Sequence, residues 1–111
     1  MRKNNAIIAA NFKTCDRASV GSKMTDGNAV YLHGNKIMWW EDMGETLKVT
    51  CCGWNTPTTR NTINEILHYL GIRCGFFQKN YRLYFDVNSG ERALSVEDDQ
   101  VIQVKPIVKC I

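Results

Sequence analysis

The sequence predicts an α+β fold in which an antiparallel β-sheet of about 5–6 strands carries one α-helix, about 57–70, packed on one face. Two observations indicate this class. Short β-prone runs separated by turn residues lie on both sides of a single helical segment, and that segment has one apolar stripe at helical spacing. The 111 residues are enough for a single domain, 1–111, with one hydrophobic core.

The composition excludes several classes of protein. With 44% apolar and 23% charged residues, the chain resembles an ordinary globular protein, not a disordered or fibrous one. Its net charge of +3 comes from scattered lysines and arginines, whereas a dedicated duplex-DNA binder concentrates them on one face. The apolar run Ala6–Ala10 is shorter than a signal-peptide core, and no run approaches a membrane span. We expect a cytoplasmic protein that makes no membrane contact.

The first quarter of the chain has the weakest pattern. Ala6–Phe12 predicts a short strand. The polar stretch Lys13–Asn28 has no period, so it predicts a long loop, and residues 1–28 are expected to be irregular or partly mobile.

A three-stranded antiparallel meander is predicted next. Ala29–His33 and Lys36–Trp40 are β-prone and are separated by Gly34–Asn35, a two-residue turn of the hairpin type. The turn Glu41–Glu45 leads to Thr46–Cys52, in which apolar and polar residues alternate as in a half-buried strand.

The segment GWNTPTTRNTINEILHYLG predicts the helix. Thr56 is a favoured N-cap residue, Pro57 suits the first helical position, and Gly71 is typical of the residue that follows a helix. The apolar stripe consists of Ile63, Ile66, Leu67 and Leu70. Four further strands are predicted after it: Ile72–Phe77, Tyr81–Val87, Arg92–Val96 and Val101–Lys105.

No catalytic residue, cofactor or metal site is predicted. The two histidines, His33 and His68, have no local partner of the kind that nucleophilic catalysis requires. The five cysteines lack the paired spacing of zinc ligands, so they are predicted to be buried or half-buried free thiols: Cys15, Cys51, Cys52, Cys74 and Cys110.

Strand alternation predicts one open sheet face on which aromatic and basic side chains mix. The residues assigned to it are Lys36, Trp40, Lys48, Arg82, Tyr84 and Lys105. Arg60, beside the apolar stripe of the helix, is added as a candidate contact for a carboxylate or phosphate. Such a face suits two kinds of partner: single-stranded nucleic acid, whose bases stack on aromatic rings, or a protein surface.

The pattern HGNKI followed by GWNTPTTRNTINEIL resembles a group of small, mostly uncharacterised bacteriophage-encoded proteins that share a GWNTPTTR-type helix start. The likeness covers about residues 33–67 and implies a phage origin, but no chemistry. From it we expect a small non-enzymatic binding protein of a bacterial host's cytoplasm. The leading hypothesis is an inhibitor of a host defence complex such as a CRISPR effector, with a host protein or ribonucleoprotein complex as partner. The alternative is a single-stranded nucleic-acid-binding accessory protein.

Overall fold

The computed structural model describes residues 2–86 and 93–104. This part contains the α-helices α1 (Lys3–Lys13) and α2 (Pro57–Tyr69). Neither helix is long and apolar enough to cross a bilayer. The strands are β1 (Ala18–Val20), β2 (Lys23–Thr25), β3 (Ala29–Leu32), β4 (Asn35–Glu41), β5 (Thr46–Val49), β6 (Gly75–Lys79), β7 (Arg82–Asp86), β8 (Ala93–Ser95) and β9 (Ile102–Val104).

The strands form two antiparallel sheets. The larger has six strands in the order β1-β2-β3-β4-β5-β9, and the smaller has three in the order β6-β7-β8. The α+β class and the six-stranded antiparallel sheet are therefore confirmed. The structure adds helix α1 and the separate three-stranded sheet, which holds the first three strands after α2, while β9 joins the larger sheet.

Helix α2 forms as its sequence signals predict. The hydroxyl of Thr56 accepts a hydrogen bond from the backbone N–H of Thr59, and Pro57 occupies the first turn. Ile63, Ile66 and Leu67 are fully buried, so the predicted stripe does face the core. Gly71, just after the helix, has φ +81°, a conformation that glycine adopts without a steric cost.

The prediction of a strand over Ala6–Phe12 is wrong, because these residues belong to α1. The buried residues of α1 are Asn5, Ile8, Ala9 and Phe12. Their spacing is that of one helical face. A polar residue holds the first position of this face, so the apolar stripe is too short to be recognised from the sequence.

The long loop predicted over Lys13–Asn28 is also wrong. Strands β1 and β2 form a hairpin in this stretch, joined by the two residues Gly21 and Ser22. On β2 the side chains that face the interior are Lys23 and Thr25, both buried. Because these inward residues are polar, the apolar alternation of a half-buried strand is missing.

A buried polar network joins α1, β2 and α2. The Lys23 ammonium donates to the Asn5 side-chain oxygen, and the Asn5 amide donates to Glu65 Oε1 at 2.9 Å. The backbone N–H of Arg2 donates to the same oxygen at 2.9 Å, and its guanidinium lies 3.5 Å from Glu65 Oε2. These contacts satisfy polar groups that would otherwise be costly to bury.

The cysteines divide into two kinds. Cys15 is disulfide-bonded, so the prediction of a free thiol is wrong at this residue. Cys51 and Cys52 are free thiols, the first buried and the second half-buried, as predicted. Cys110 lies outside the described residues.

Candidate functional site

A β-bulge in β4 changes which residues face the core. Val30 pairs with Met38 but Tyr31 pairs with Lys36, so Ile37 is an extra residue on β4. Beyond the bulge the side chains of Met38 and Trp40 point inward.

Trp40 is therefore in the core and not on an open face. Only 4% of its surface is exposed, and its ring stacks on Phe12 of α1 with centroids 4.9 Å apart. Its indole N–H donates to the Phe12 carbonyl at 3.3 Å. The prediction that Trp40 belongs to a contact surface is wrong, because simple alternation does not hold across a bulge.

The outer face of the six-stranded sheet carries Trp39 in the place predicted for Trp40. Trp39 is half-buried and lies directly opposite Lys48 on β5. The ammonium of Lys36 lies 4.8 Å from the centre of the Trp39 ring, and the indole N–H donates to Glu41 at 2.7 Å. Lys36 and Lys48 thus do share a face, and the tryptophan on that face is Trp39.

A second basic and aromatic surface lies on the three-stranded sheet. Phe77 on β6 is opposite Tyr84 on β7, and their rings stack with centroids 5.3 Å apart and an interplanar angle of 14°. One pair further along the same face, Lys79 lies opposite Arg82. We call this surface, made of Phe77, Lys79, Arg82 and Tyr84, the hairpin face. Two like charges directly opposite each other destabilise a sheet, so an anion placed on this face would relieve their repulsion.

The turn that joins β6 to β7 exposes a strained tyrosine. Its two residues, Asn80 and Tyr81, have φ of +51° and +63°, as in a type I′ turn. The second position of such a turn is usually glycine, since a side chain there meets the following carbonyl oxygen. Tyr81 nevertheless occupies it, with 95% of its surface exposed.

We expect that Tyr81→Gly will raise the free energy of unfolding by about 0.5–1 kcal/mol, because glycine removes the left-handed strain and the exposed ring contributes little burial. Urea denaturation followed by circular dichroism measures the change. Tyr81→Ala is the matched control, because it removes the ring but keeps the strained Cβ. Equal stabilities of the glycine and alanine variants would contradict the assigned strain.

Beside the hairpin face, a groove runs between α2 and the edge of β6. One part, of about 620 Å³, extends from Arg60 to Tyr81, and the other, of about 680 Å³, extends from His68 and Arg73 to Asp86. Both parts are lined by Asn64, Phe76 and Phe77, so they lie side by side. We call this the α2–β6 groove.

Asn64 fixes the width of the groove. Its amide donates to the Phe76 carbonyl at 2.7 Å, and its side-chain oxygen accepts from the Phe76 N–H at 2.8 Å. One side chain thus satisfies both backbone groups of an edge residue of β6. A Cβ at Gly75 would lie 2.8 Å from the Asn64 oxygen, so this contact requires glycine.

The groove and the hairpin face are rich in cations that lack acidic partners. Across residues 2–86 and 93–104, the salt bridge is Arg2–Glu65, and it lies outside both surfaces. Arg60 donates to the neutral side-chain oxygen of Asn55 and forms no salt bridge with the described acidic residues. Among the described groove residues, Asp86 is the sole acid.

A smaller cavity of about 440 Å³ opens at the start of α2. Leu32, Ile37 and Cys51 contribute to its wall, and Trp54, with 58% of its surface exposed, also lines it. Burial raises the pKa of Cys51 to about 12, so at neutral pH this sulfur is a protonated thiol and a poor nucleophile. Within the described part of the chain, no group of three His, Cys, Asp or Glu side chains is placed to hold a metal ion.

The structure separates the predicted contact residues into two groups. Lys36 and Lys48 lie on the six-stranded sheet, whereas Arg82 and Tyr84 lie on the three-stranded sheet. Arg60 lines the α2–β6 groove, which adjoins the second group at Phe77. Lys105 lies outside the described residues. The prediction that these residues share one sheet face is therefore wrong, because the strands after α2 do not all join the first sheet.

Sequence reasoning missed several residues of the second surface. Phe77 ends the predicted strand Ile72–Phe77, to which no face was assigned. Lys79 falls between two predicted strands, whereas β6 extends through it to the turn at Asn80–Tyr81. Tyr81 was assigned to a strand because tyrosine is β-prone. The available signal was Asn80, because asparagine readily adopts the left-handed conformation that a two-residue hairpin loop requires.

Together these features describe a small α+β protein with a basic and aromatic hairpin beside a polar groove. A protein-family model, that of the Kyanoviridae Gp96 protein, matches residues 2–104. The chain belongs to this family and is thus a phage-encoded protein, as the resemblance implied. No curated protein and no solved structure matches the chain.

Proposed function

We propose that this phage protein is a non-enzymatic binding protein that acts in the cytoplasm of its bacterial host on a protein or ribonucleoprotein complex. The most specific form of the proposal is inhibition of a host defence complex such as a CRISPR effector. A small protein of this kind would act by occupying a surface on a larger assembly.

The observation that supports the proposal is the hairpin face. It combines a cross-strand stack of Phe77 and Tyr84 with the side chains of Lys79 and Arg82, which have no acidic partner among the described residues. Tyrosine and arginine are enriched among the residues that contribute most of the free energy of binding at protein interfaces. A pre-stacked ring pair also loses little conformational entropy when a partner binds.

We expect the tagged protein to recover one complex in fixed ratio from a lysate of its host. The double variant Arg82→Ala/Tyr84→Ala should lose this complex while keeping its thermal unfolding midpoint close to that of the wild type, because both side chains lie on an outer face. In a host that carries the defence system, expression of the wild-type protein, but not of the double variant, should restore phage infection.

The matched control is Lys36→Ala/Lys48→Ala, which removes two cations from the other sheet. It should bind the complex as the wild type does. If this control loses the complex and the hairpin variant keeps it, the contact surface lies on the six-stranded sheet. Failure to recover any complex from the true host would contradict the proposal itself.

A further inference from the structure

We infer that the α2–β6 groove and the adjoining hairpin face bind single-stranded nucleic acid, with phosphates along the cations and bases on the exposed rings. The inference rests on the proposed function and names the chemistry of the partner, since a ribonucleoprotein complex presents single-stranded segments. The alternation of strands had indicated nucleic acid on a face around Trp40. That face does not exist, and the groove is a different surface.

The distribution of charge supports a polyanion as the ligand. Arg60 lines one part of the groove and Arg73 the other, while Lys79 and Arg82 lie opposite each other on the hairpin face. These four cations have no carboxylate within salt-bridge distance in the described residues. A chain of phosphates would neutralise all of them together and would release the counterions that they attract.

The aromatic side chains supply the second requirement. Phe77 lines both parts of the groove and stacks on Tyr84, so the ring pair lies where the groove meets the hairpin face. Tyr81 lines the groove as well, almost fully exposed at the tip of the hairpin. Single-strand-binding proteins combine a basic groove with rings on which successive bases stack.

The strained backbone at the tip of the β6–β7 hairpin indicates that the Tyr81 side chain contacts a ligand. Glycine would fit this turn without strain, and the tyrosine ring gains almost no burial in return. Strained backbone of this kind is concentrated at functional sites. A tyrosine exposed at the tip of the hairpin is positioned to stack on an unpaired base.

A single strand fits these features better than a duplex does. Stacking on Phe77 or Tyr81 requires a base whose face is free, which a paired and stacked base does not offer. Nor does either described helix carry the cluster of cations that a major-groove reader presents.

The test is fluorescence anisotropy with labelled oligothymidylate and oligouridylate of about 12 nucleotides, the size range that one small domain covers. We expect both probes to bind at low salt, and affinity to fall steeply between about 50 and 200 mM salt. Comparing the affinities of the two probes shows whether the protein prefers single-stranded DNA or single-stranded RNA. A duplex of the same length should bind more weakly.

Two sets of variants separate charge from stacking. Arg73→Gln and Lys79→Gln should each lower the slope of log affinity against log salt by about 0.7, the value for one phosphate contact on a single strand. Tyr81→Gly should weaken binding about 5- to 100-fold without changing that slope, because it removes a stacking ring and no charge. Since this variant is expected to be more stable than the wild type, weaker binding cannot be attributed to misfolding.

Arg17→Gln and Lys36→Gln are the matched controls, because each removes one positive charge outside the groove and the hairpin face. They should keep the wild-type affinity. The inference is overturned if neither probe binds at low salt, if the duplex binds as tightly as the single strand, or if the groove variants behave like the controls. If the probes fail but the host complex is still captured through Arg82 and Tyr84, the proposed function stands and the partner surface is protein.

Discussion

Replacing Trp40 with alanine should lower the free energy of unfolding by about 3–5 kcal/mol, the usual cost of removing a large aromatic side chain from a core. The Trp40 ring is 96% buried, stacks on Phe12 and donates a hydrogen bond to its carbonyl. Its loss leaves a cavity between β4 and α1 and removes the contact that fixes the end of the helix. Urea denaturation followed by far-UV circular dichroism measures the change independently of tryptophan fluorescence.

Trp39→Ala is the matched control, since it removes the same side chain one residue away. Trp39 is half-buried on the outer face, and its described contacts are with Lys36 and Glu41. Such surface contacts contribute about 1 kcal/mol or less. If the two substitutions cost the same, the bulge at Ile37 would not invert the faces of β4 as the structure indicates.

The contrast between these two tryptophans shows where prediction from sequence fails. Leu47 and Val49 on β5, and Leu83 and Phe85 on β7, face the interior as their alternation predicts. On β4 the same rule puts Trp40 outside. One extra residue shifts every later side chain to the opposite face, so Trp40 lies inside. Nothing local to Lys36–Met38 signals the bulge, which depends on how β3 and β4 pair.

Helix α2 could be predicted in full because its signals are local in the sequence. Helix α1 could not be predicted, because its inward face depends on contacts with distant residues. In α2 the cap, the stripe and the terminating glycine are carried by residues typical of those roles. In α1 the N-cap is Arg2, which forms no side-chain cap, and the inward face begins with Asn5. A buried polar residue is stabilised by partners distant in sequence, Lys23 and Glu65, so its burial cannot be inferred from its neighbours.

The candidate site was predictable only in part. Arg60, Arg82 and Tyr84 were identified from their residue types, but the groove that Arg60 lines depends on how α2 packs against β6. That packing rests on the two hydrogen bonds between Asn64 and Phe76 and on the absence of a side chain at Gly75. An asparagine in the middle of a helix carries no sequence signal for such a contact. Tertiary contacts, and not local propensity, assemble the surface.

The second large effect is expected at Asn5, whose substitution by alanine should lower the free energy of unfolding by about 2–4 kcal/mol at neutral pH. The Asn5 side chain is fully buried and bonds to both the Lys23 ammonium and the Glu65 carboxylate. Hydrogen bonds to charged groups contribute about 1.5–3 kcal/mol each, and a buried charge that loses its partner adds a desolvation cost. Thermal and urea unfolding measure the loss.

Asn11→Ala is the matched control on the same helix. The Asn11 amide donates to the Ile7 carbonyl one turn earlier, so its contact lies within α1 and involves no charge. We expect a change of about 1 kcal/mol or less. Equal losses at Asn5 and Asn11 would mean that the network does not join α1 to β2 and α2 with the strength inferred.

The effect of Asn5→Ala should also depend on pH in a defined direction. Burial opposes ionisation of Glu65, but hydrogen bonds from the Arg2 backbone and the Asn5 amide, together with the Arg2 charge, hold its pKa below the ordinary value of 4.5. A carboxyl whose pKa is lower in the folded state stabilises the fold above its unfolded pKa. This contribution is lost as the pH falls through the folded pKa.

Without the Asn5 amide, the folded pKa of Glu65 should rise, so the variant has less of this contribution to lose in acid. The difference in unfolding free energy between wild type and Asn5→Ala should therefore be largest at neutral pH and should decrease as the pH falls below 4.5. Asp26 also has a lowered pKa, because the Ala29 and Asn28 N–H groups donate to its carboxylate. Its acid effect is common to both proteins and cancels in the difference. A difference that stays constant from neutral pH into acid would show that Asn5 acts through packing or through its bond to Lys23, and not through the Glu65 carboxylate.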